Sequence, residues 1–357
     1  MKGWKDSKKG IGEEVGFYMG RFNPIHRGHE TIIWRMLSDR LDTIIIAIGG
    51  ATGARTFKNP WTFAERSIMI NLAFESVKEQ MKKQNSPSFE MPKTKLRIVG
   101  IPDYISDYRW EQDVRVRVQG ITHEDDDVTI YGYEKDKSSY YLKMFPEWGF
   151  INVEASLALD ATTVREEIYR KNVIHDEAAA YTGEHNFVSK NVANFISGWV
   201  ESDEFNVLRK EWEFINDYKR QFEGLKHKPV FVTVDALFIT RRKEVILLKR
   251  KEYPGLNTLA MPGGFIDPDL TLRQSINKIV MQKLKLDIED LQHTRMEVID
   301  KPDRSLRGRT LTNVFVFENF KREVLPDNAD FYQIGNLGMH RQQMFEDHFM
   351  IIDHLLY

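Results

Sequence analysis

The sequence predicts an α/β protein with more than one domain. Its 357 residues exceed the usual size of a single hydrophobic core, so length alone favours two domains or three. In the first half, strand-sized apolar runs alternate with stretches of helical spacing, which is typical of a parallel sheet covered by helices. The predicted organisation is a parallel α/β domain at residues 1–185, a helical connector at 186–226 and a mainly α+β domain at 227–357.

The elements of the first half follow from apolar spacing. A strand is predicted at residues 15–19, and after a polar loop the apolar residues recur at helical spacing from His29 onward. A buried strand rich in isoleucine is expected at 43–48 and a helix at 63–74. Residues 78–95, with many Lys, Gln and Ser, are expected to form a surface excursion. The remaining strand candidates are 96–99, 128–131 and 150–153.

The second half begins with a change of pattern. The segments VANFISGWV and LRKEWEFINDYKRQF have apolar residues at helical spacing and no strand signal, which predicts the connector. After Pro229 the segments VFVTVDALFI and EVILLKR are predicted to be strands joined by a basic turn, and a further strand is expected at 313–317.

Composition excludes several classes of protein. Lys and Arg number 51 against 53 Asp and Glu, and this near balance removes the usual argument for a large nucleic-acid interface. The absence of cysteine excludes disulfides, thiolate metal sites and cysteine nucleophiles. No apolar leader and no apolar run of membrane-spanning length is present, so we expect neither a signal peptide nor a membrane span. We expect a cytoplasmic homo-oligomer.

The strongest local signal is GRFNPIHRGH at residues 20–29, between a predicted strand and a predicted helix. Such a turn directs free backbone N–H groups and the positive end of the helix dipole at one point, which favours phosphate. Gly28 permits close approach of the backbone, and His26 and His29 can each donate a hydrogen bond to a phosphate oxygen. One histidine alone could be a surface or capping residue, but two in this setting favour a phosphate site.

A second motif is DATTVR at residues 160–165. Thr163 and Glu166 have capping-box spacing, which predicts a helix beginning there and explains the threonines without a ligand. In the alternative interpretation, the hydroxyls of Thr162 and Thr163, the helix amides and the guanidinium of Arg165 converge on phosphates. Arginine suits this role because its guanidinium binds phosphate bidentately.

These two motifs resemble the HxGH and ISTxxR-type signatures of the nucleotidyltransferase superfamily, whose parallel sheet is Rossmann-like. KNPWTF at residues 58–63, followed by Glu65 and Arg66, resembles a segment of archaeal-type nicotinamide mononucleotide (NMN) adenylyltransferases. Asp107 and Trp110, with Val118-Gln119 after them, resemble the nicotinamide-side segment of the same enzymes.

A third stretch resembles members of that family fused to a Nudix domain. Residues 131–136 and the SSYYLKMFPEW segment resemble their GHxKDxSSYYLxxFPxW sequence. Tyr133 stands where that sequence has His, which puts this one contact in doubt. The resemblance covers the whole chain.

The resemblance implies a reaction, ATP + NMN → NAD + diphosphate, by in-line attack of the NMN phosphate on the α-phosphate of ATP. Mg²⁺ would be bound mainly through the ATP phosphates. The implied catalytic residues are His26, His29 and Arg165. The implied ATP-binding residues are Gly20, Arg21, Phe22, Gly28, Thr162 and Thr163. The implied NMN-binding residues are Asn23, Lys58, Asp107 and Trp110, although Trp110 could equally be a core aromatic residue.

The second domain resembles a Nudix module whose metal ligands are replaced. MPGGF at residues 261–265 resembles the start of a Nudix box, which holds Mg²⁺ through several glutamates on one helix. Counting from Gly264, the acidic positions of that box carry Leu270, Ile279, Gln282 and Lys283. We therefore expect no Nudix-type hydrolysis.

Other segments of this domain still resemble an ADP-ribose-binding module, namely residues 302–310 and 345–349. Arg304, Arg307 and Arg309 could pair with a diphosphate, or could form a solvated basic turn. The domain is either a structural or dimerisation remnant or a sensor that binds ADP-ribose or NAD without cleaving it.

Three other functions compete for the whole chain. The first is a bifunctional enzyme that also hydrolyses ADP-ribose, and the replaced box argues against it. The second is an adenylyltransferase for nicotinate mononucleotide, FMN or phosphopantetheine, against which KNPWTF and the segment 107–110 argue. The third is a nucleotide-dependent regulator, and the absence of a helix-turn-helix pattern after the second domain argues against a DNA-binding repressor.

Overall fold

The structure, a computed structural model, describes residues 12–133, 143–154, 160–170 and 187–357. The chain divides into two compact units. Unit 1 contains Met1–Ala51 and Lys58–Phe205, and unit 2 contains Thr52–Phe57 and Asn206–Tyr357. The division falls inside the helical connector predicted at 186–226, and the short segment Thr52–Phe57 was not expected to leave the first unit.

Unit 1 is built on a parallel sheet, as predicted. Its five strands are β1 (Glu14–Gly20), β2 (Thr43–Gly49), β3 (Lys95–Ile101), β4 (Asp127–Gly132) and β5 (Gly149–Asn152). They lie in the order β3-β2-β1-β4-β5, and all four pairings are parallel. The strand order reverses beside β1, and in open α/β sheets ligands bind outside the carboxyl end of the strand at such a point. The loop that follows β1 carries the GRFNPIHRGH motif.

The helices of unit 1 connect these strands and continue past the last of them. They are α1 (Arg27–Ser38), α2 (Phe63–Gln84), α3 (Asp107–Gln119), α4 (Ala161–Arg170) and α5 (Lys190–Trp199); α6 (Asp203–Arg220) starts in unit 1 and continues in unit 2. The expectation that a surface excursion begins at residue 78 was wrong, because α2 continues for ten residues beyond Phe74. Val77 and Met81 extend its apolar face and are buried.

Unit 2 is a mixed α+β domain, as predicted. Its strands are β6 (Phe231–Thr240), β7 (Glu244–Lys249), β8 (Leu259–Ala260), β9 (Gly263–Phe265), β10 (Arg295–Ile299), β11 (Thr310–Phe320) and β12 (Ala329–Gln333). The main sheet has the order β10-β11-β6-β7-β12; β6 and β11 are parallel, and β8 and β9 pair with β7 and β6. The helices are α7 (Leu272–Leu284), a 3-10 stretch (Ile334–Gln343) and α8 (His348–Leu356).

The core of unit 2 lies between its sheet and α7, whose Ile276, Val280 and Leu284 pack against Phe238 and Phe315. α7 is the helix that would carry the acidic residues of a Nudix box. Within the described ranges, no helix is both long enough and apolar enough to span a bilayer.

Candidate active site

The strand-to-helix turn after β1 is closed by the two histidines of the motif. His26 is the N-cap of α1, and its Nδ1 accepts a hydrogen bond from the backbone N–H of Gly28 at 3.2 Å. His29 reaches back, and its Nδ1 accepts from the backbone N–H of His26 at 3.0 Å. The two imidazoles therefore form a reciprocal capping box, a role normally taken by Ser or Thr with Glu or Gln.

This arrangement defines which nitrogen of each ring carries hydrogen. An Nδ1 atom that accepts from a backbone N–H has no hydrogen of its own, so a neutral ring must carry it on Nε2. Both histidines are thus held as Nε2–H donors. Their ring centroids are only 3.7 Å apart, at an interplanar angle of 36°. Two donors fixed side by side at the positive end of a helix suit a polyanion.

The electrostatics keep His29 neutral. Burial lowers the pKa of His29 well below 6.5, and the neighbouring His26 lowers it further. His26 itself is buried, with 6% of its surface exposed. At neutral pH the His29 ring therefore donates a hydrogen bond without carrying positive charge.

Two residues of the same loop hold the histidines in place. Phe22 is buried in a left-handed conformation, with φ +48°, and its ring lies 4.9 Å from that of His29. Non-glycine residues seldom adopt this conformation unless the surroundings enforce it. A Cβ on Gly28 would lie 3.1 Å from the His26 ring. The absence of a side chain at Gly28 therefore makes room for the imidazole, and not only for a ligand.

Arg165 of the second motif lies against the first. Its Nη1 donates to the main-chain oxygen of Asn23 at 2.5 Å, and its Nη2 donates to Thr162 Oγ1 at 3.2 Å. Burial lowers its pKa, so the guanidinium is partly withdrawn from water. The sequence suggested that both motifs serve one site, and the structure brings them together. Asn23 also has a buried Oδ1 without a hydrogen-bond partner among the described residues.

The predicted start of the helix in this motif was wrong. α4 begins at Ala161, and the capping carboxylate is that of Asp160, which accepts from the Thr163 N–H at 2.9 Å. The Thr163–Glu166 capping box predicted from spacing does not form. Asp160 comes first because a carboxylate before a helix satisfies the N–H three residues on. The side chains of Thr162 and Thr163 are left exposed in the first turn.

Arg66 is a residue whose role the sequence prediction missed. It is buried on α2 and donates hydrogen bonds to four main-chain oxygens, which belong to Arg21, Gly49, Gly50 and Thr62. Burial, with a smaller contribution from Arg21, lowers its pKa to about 10. Arg66 thereby ties the carboxyl ends of β1 and β2 to the start of α2. The sequence feature that could have identified Arg66 is the presence of a cation on the apolar face of a helix.

Arg21 forms a bidentate ion pair that was also not foreseen. Its guanidinium contacts both carboxylate oxygens of Asp103, at 3.1 and 3.2 Å. The pair is largely exposed at the carboxyl end of the sheet, where its contribution to stability is small. A Cβ on Gly50, which has φ +59°, would lie 2.6 Å from the Arg21 guanidinium.

Some of the residues implied in NMN binding lie at or next to the histidine loop. Asn23 Nδ2 donates to Asn59 Oδ1 at 3.1 Å, which places the KNPWTF segment next to the histidine loop. Asp107 and Trp110 lie in the first turn of α3, and Trp110 packs against the core cluster that contains Phe145. Lys58 is partly exposed. Tyr133 is 41% exposed, and residues 134–142 of the third stretch lie outside the described residues.

In unit 2, α7 carries cations and apolar residues at the Nudix-box positions. Lys278 Nζ pairs with Asp267 at 2.7 Å, Lys283 Nζ donates to the main-chain oxygen of Gly263 at 2.5 Å, and Ile279 is buried. The described residues contain no cluster of three or more acidic or His side chains that could hold a metal ion.

Three cations of unit 2 influence one another, and buried carboxylates act on them as well, since the charge of Asp235 raises the pKa of Arg250 and of Lys283. Arg250, Lys283 and Arg307 have no ion pair within the part of the chain that the structure describes. Burial lowers the pKa of both Arg250 and Lys283, and each is lowered further by the charge of Arg307. Arg307 lies over the half-exposed ring of Phe265, at 5.5 Å from its centroid. These three residues are called the unit 2 cation cluster below.

The other two arginines predicted to bind ADP-ribose have protein partners. Arg304 is buried, and its guanidinium donates to both oxygens of the Asp347 carboxylate at 2.8 and 2.9 Å. Arg309 is paired with Asp300 at 3.7 Å on the surface. The guanidinium of Arg304 is therefore already bound by the Asp347 carboxylate. A buried ion pair of this kind fixes the position of the residues around it.

Comparison with known proteins places unit 1 among the nucleotidyltransferases. A family model described as cytidylyltransferase-like matches residues 17–113. The nicotinamide/nicotinic acid mononucleotide adenylyltransferase of Acinetobacter baylyi is 34% identical over 158 residues, which cover 44% of this chain and 76% of that protein. The nicotinamide-nucleotide adenylyltransferase of Thermoplasma acidophilum is 46% identical over 63 residues, but these span only 35% of its length.

A solved structure matches nearly the entire chain. A bifunctional NMN adenylyltransferase/ADP ribose pyrophosphatase from Francisella tularensis superposes with a TM-score of 0.82 and 29% identity, covering 96% of this chain and 98% of that one. A second structure of such a protein from the same organism, complexed with AMP and a manganese ion, superposes with a TM-score of 0.80. The two-unit architecture is therefore shared with a protein whose name gives it two activities.

Proposed function

The chain belongs to the family of nicotinamide and nicotinic acid mononucleotide adenylyltransferases, and we propose that unit 1 joins ATP to NMN, giving NAD and diphosphate. The observation that carries this proposal is the contact between Arg165 and Asn23, a residue of the loop after β1 whose two histidines cap α1. The relatives supply the substrate class, since the Acinetobacter and Thermoplasma proteins are named for this reaction.

The geometry supports catalysis by positioning and charge stabilisation. The phosphate of NMN is already a competent nucleophile at neutral pH, so its in-line attack on the α-phosphorus of ATP requires no strong base. The Nε2–H groups of His26 and His29 would donate to the α-phosphate oxygens, on which charge develops in the transition state. The positive end of the α1 helix dipole would support the same oxygens.

Arg165 would hold the leaving diphosphate. Its guanidinium is oriented by Asn23 and Thr162, so that the planar fork is fixed before ATP arrives. The exposed hydroxyls of Thr162 and Thr163 and the guanidinium of Arg21 are the remaining candidates for the outer phosphates. Gly20 and Phe22 shape the loop, and a Cβ on Gly20 would lie 3.1 Å from the Phe22 ring.

The NMN side is proposed to consist of Asn23, Lys58, Asp107 and Trp110. The buried Oδ1 of Asn23 can accept a hydrogen bond from the ligand, for example from a carboxamide or a ribose hydroxyl. Trp110 is partly buried against the core, and its remaining surface could stack on the nicotinamide ring.

A divalent cation, Mg²⁺ in our proposal, would be held mainly by the ATP phosphates. This fits unit 1, because the described residues offer no acidic cluster from which a protein-built cage could form. The related Francisella protein was solved with manganese and AMP. When bound, such an ion neutralises phosphate charge during transfer.

The acceptor is tested by a panel of mononucleotides. Purified protein is incubated with ATP, Mg²⁺ and, separately, NMN, nicotinate mononucleotide, FMN and phosphopantetheine, and the products are identified by mass spectrometry. We expect NAD to form fastest. Faster formation of the nicotinate product would favour the acid nucleotide, which the name of the Acinetobacter protein also includes.

For unit 2 we propose binding of ADP-ribose or a related diphosphate nucleotide without hydrolysis. The unit 2 cation cluster supports diphosphate binding, since three cations lie close enough to influence one another and none of them forms an ion pair at contact distance among the described residues. The replaced acidic positions of α7 support the loss of hydrolysis, because Nudix-type cleavage requires a carboxylate-bound metal. The rival is an ADP-ribose pyrophosphatase like the Francisella protein, and release of AMP from ADP-ribose would favour it.

A further inference from the structure

Phe265 is an aromatic residue of unit 2 whose ring remains in contact with solvent. It is the last residue of β9, and 43% of its surface is exposed. In the pairing of β9 with β6 it lies opposite Thr233, while a Cβ on its neighbour Gly264 would lie 3.5 Å from Ile279 of α7. Because successive side chains point to opposite faces of a sheet, Phe265 points away from α7 and from the core between α7 and the sheet.

The unit 2 cation cluster lies next to this ring. The guanidinium of Arg307 is 5.5 Å from the ring centroid. Lys283 Nζ donates to the main-chain oxygen of Gly263, which is two residues before Phe265 and about 7 Å away along the strand. Arg307 in turn lowers the pKa of both Lys283 and Arg250. An exposed ring beside a group of cations is the combination that binds the base and the phosphate of a nucleotide.

Two arginines of the cluster differ in how firmly they are held. Arg250 Nε donates to the main-chain oxygen of Pro254 at 2.9 Å. The next residue, Gly255, donates its N–H at 2.8 Å to Oε1 of Glu211, a carboxylate of α6 that is only 3% exposed. Within the described residues, the guanidinium of Arg307 forms neither a hydrogen bond nor an ion pair, and its contact is the ring of Phe265. Arg307 can therefore move without breaking a polar contact.

We propose that Phe265 is a base-stacking site of unit 2, on which the aromatic base of a diphosphate nucleotide displaces Arg307, whose guanidinium moves onto the diphosphate. The inference rests on the function proposed for unit 2, because it takes the unit 2 cation cluster as the diphosphate site.

The magnitudes of the two ring contacts favour this exchange. An exposed cation–π contact is worth about two- to fivefold in an equilibrium constant, whereas a base stacked on an aromatic side chain is worth about 5- to 150-fold. The displaced guanidinium also gains charge-assisted hydrogen bonds to the diphosphate. The ring therefore contributes to affinity only for a ligand that carries a base.

The test measures protection of Lys283 from amine-reactive labelling in the full chain, in EDTA, with ADP-ribose and inorganic diphosphate as separate probes. Phe265→Ala should raise the ADP-ribose concentration that gives half protection about tenfold. For inorganic diphosphate, the same variant should leave this concentration unchanged or lower it up to about fivefold, because Arg307 no longer has to leave the ring. A ring that only supports the local structure would give weaker protection by both ligands.

Three further variants serve as controls. Met281→Ala is the matched control, because Met281 is also 43% exposed and lies on α7 but has no ring, so both ligands should act as on wild type. Phe265→Leu keeps an apolar side chain without the aromatic face and should behave as Phe265→Ala. Phe265→Tyr keeps the face and should match wild type.

The wild-type and variant measurements decide separate questions. If neither ligand protects Lys283 in the wild-type protein, the function proposed for unit 2 fails, and the stacking site fails with it. If ADP-ribose protects wild type and Phe265→Ala at the same concentration, diphosphate binding stands and the stacking site is overturned. Weaker protection of Phe265→Ala by inorganic diphosphate would also overturn it, since the ring would then act by holding Arg307 in place.

Discussion

Arg165 Nη1 donates to the main-chain oxygen of Asn23 at 2.5 Å, across 142 positions of the sequence. This contact joins the first turn of α4 to the loop that positions His26 and His29. A guanidinium that has already lost part of its hydration and is oriented by a carbonyl loses less entropy when it binds phosphate. In the proposed function, this contact would hold the two motifs together before any ligand binds.

Replacing His29 should separate catalysis from folding. His29→Ala removes an Nε2–H donor, and we expect kcat to fall by about 10²- to 10³-fold, the usual effect of removing one transition-state donor. It also removes the acceptor for the His26 N–H, which should cost about 1 kcal/mol of stability. NAD formation and urea unfolding measure the two effects. His123→Ala, on the exposed surface of unit 1, is the control, and equal turnover in both variants would remove His29 from the catalytic set.

Arg165 should not be replaceable by lysine. In Arg165→Lys a single ammonium cannot contact Asn23 and Thr162 and also bind a diphosphate in two places, so we expect kcat/KM for ATP to fall about 100-fold. Arg170→Lys is the matched control, because Arg170 is exposed on the same helix and pairs with Glu166. Steady-state kinetics with varied ATP concentration checks this. Wild-type kinetics in Arg165→Lys would mean that ATP binding does not require the bidentate guanidinium.

Gly28 tests the packing of the capping histidine. An added Cβ would lie 3.1 and 3.2 Å from two atoms of the His26 ring, which is tight enough to displace it. We expect Gly28→Ala to lower kcat at least about tenfold, since a small misplacement of a catalytic group has a large effect. Gly198→Ala is the control, because an added Cβ meets nothing within 4 Å there. Full activity of Gly28→Ala would show that the ring position is not critical.

The neutral state of His29 predicts a specific dependence of stability on pH. Its pKa in the folded protein lies well below 6.5, so between that value and about 6.5 the unfolded chain binds a proton that the folded chain does not. The stability from this residue is complete above pH 6.5 and is lost as pH falls, because protonation of Nδ1 would break the bond from the His26 N–H.

Glutamine is a suitable reference for this effect, since it can cap the helix but does not titrate. Urea unfolding of wild type and His29→Gln is compared at pH 7.5 and pH 5.5. The stability of wild type relative to the variant should decrease by about 1 kcal/mol over this interval. A constant difference would indicate that folding leaves the pKa of His29 unchanged.

The unit 2 cation cluster predicts ligand binding that needs no metal. ADP-ribose, added in the presence of EDTA, should protect Lys283 from amine-reactive labelling, as read by peptide mass spectrometry. Lys278, on the same helix and paired with Asp267, is the internal control and should remain labelled. Reading the label at one residue distinguishes unit 2 from nucleotide binding in unit 1. Equal labelling of Lys283 with and without ligand would contradict binding at the cluster.

The regular part of the fold was predictable because its signals are local. The five strands of unit 1 coincide with apolar runs, and α1 begins within two residues of the predicted position. The meeting of the two motifs could also be foreseen, since carboxyl ends of parallel strands share one edge. The start of α4 could not, because Asp160 and Thr163 are both good capping residues and spacing alone favoured the second.

Arg66 and Glu211 show what spacing could not supply. Both are charged residues on apolar helix faces, and most of their partners are main-chain groups far away in the sequence. The sequence pattern shows that a charged residue lies on an apolar helix face. It does not show which main-chain N–H or C=O groups that residue will contact, because every residue has such groups. Likewise, the resemblance of Arg304 to a ligand-binding arginine did not reveal that Asp347 occupies its guanidinium.

The central claim is tested most directly by measuring the products that the purified wild-type protein forms from ATP and NMN with Mg²⁺. NAD and diphosphate are quantified in the same reaction by mass spectrometry and a coupled diphosphate assay. In-line transfer of the adenylyl group predicts that the two appear in a ratio of one to one. Absence of NAD, with ATP left intact, hydrolysed to ADP and phosphate, or hydrolysed to AMP and diphosphate, would contradict the account.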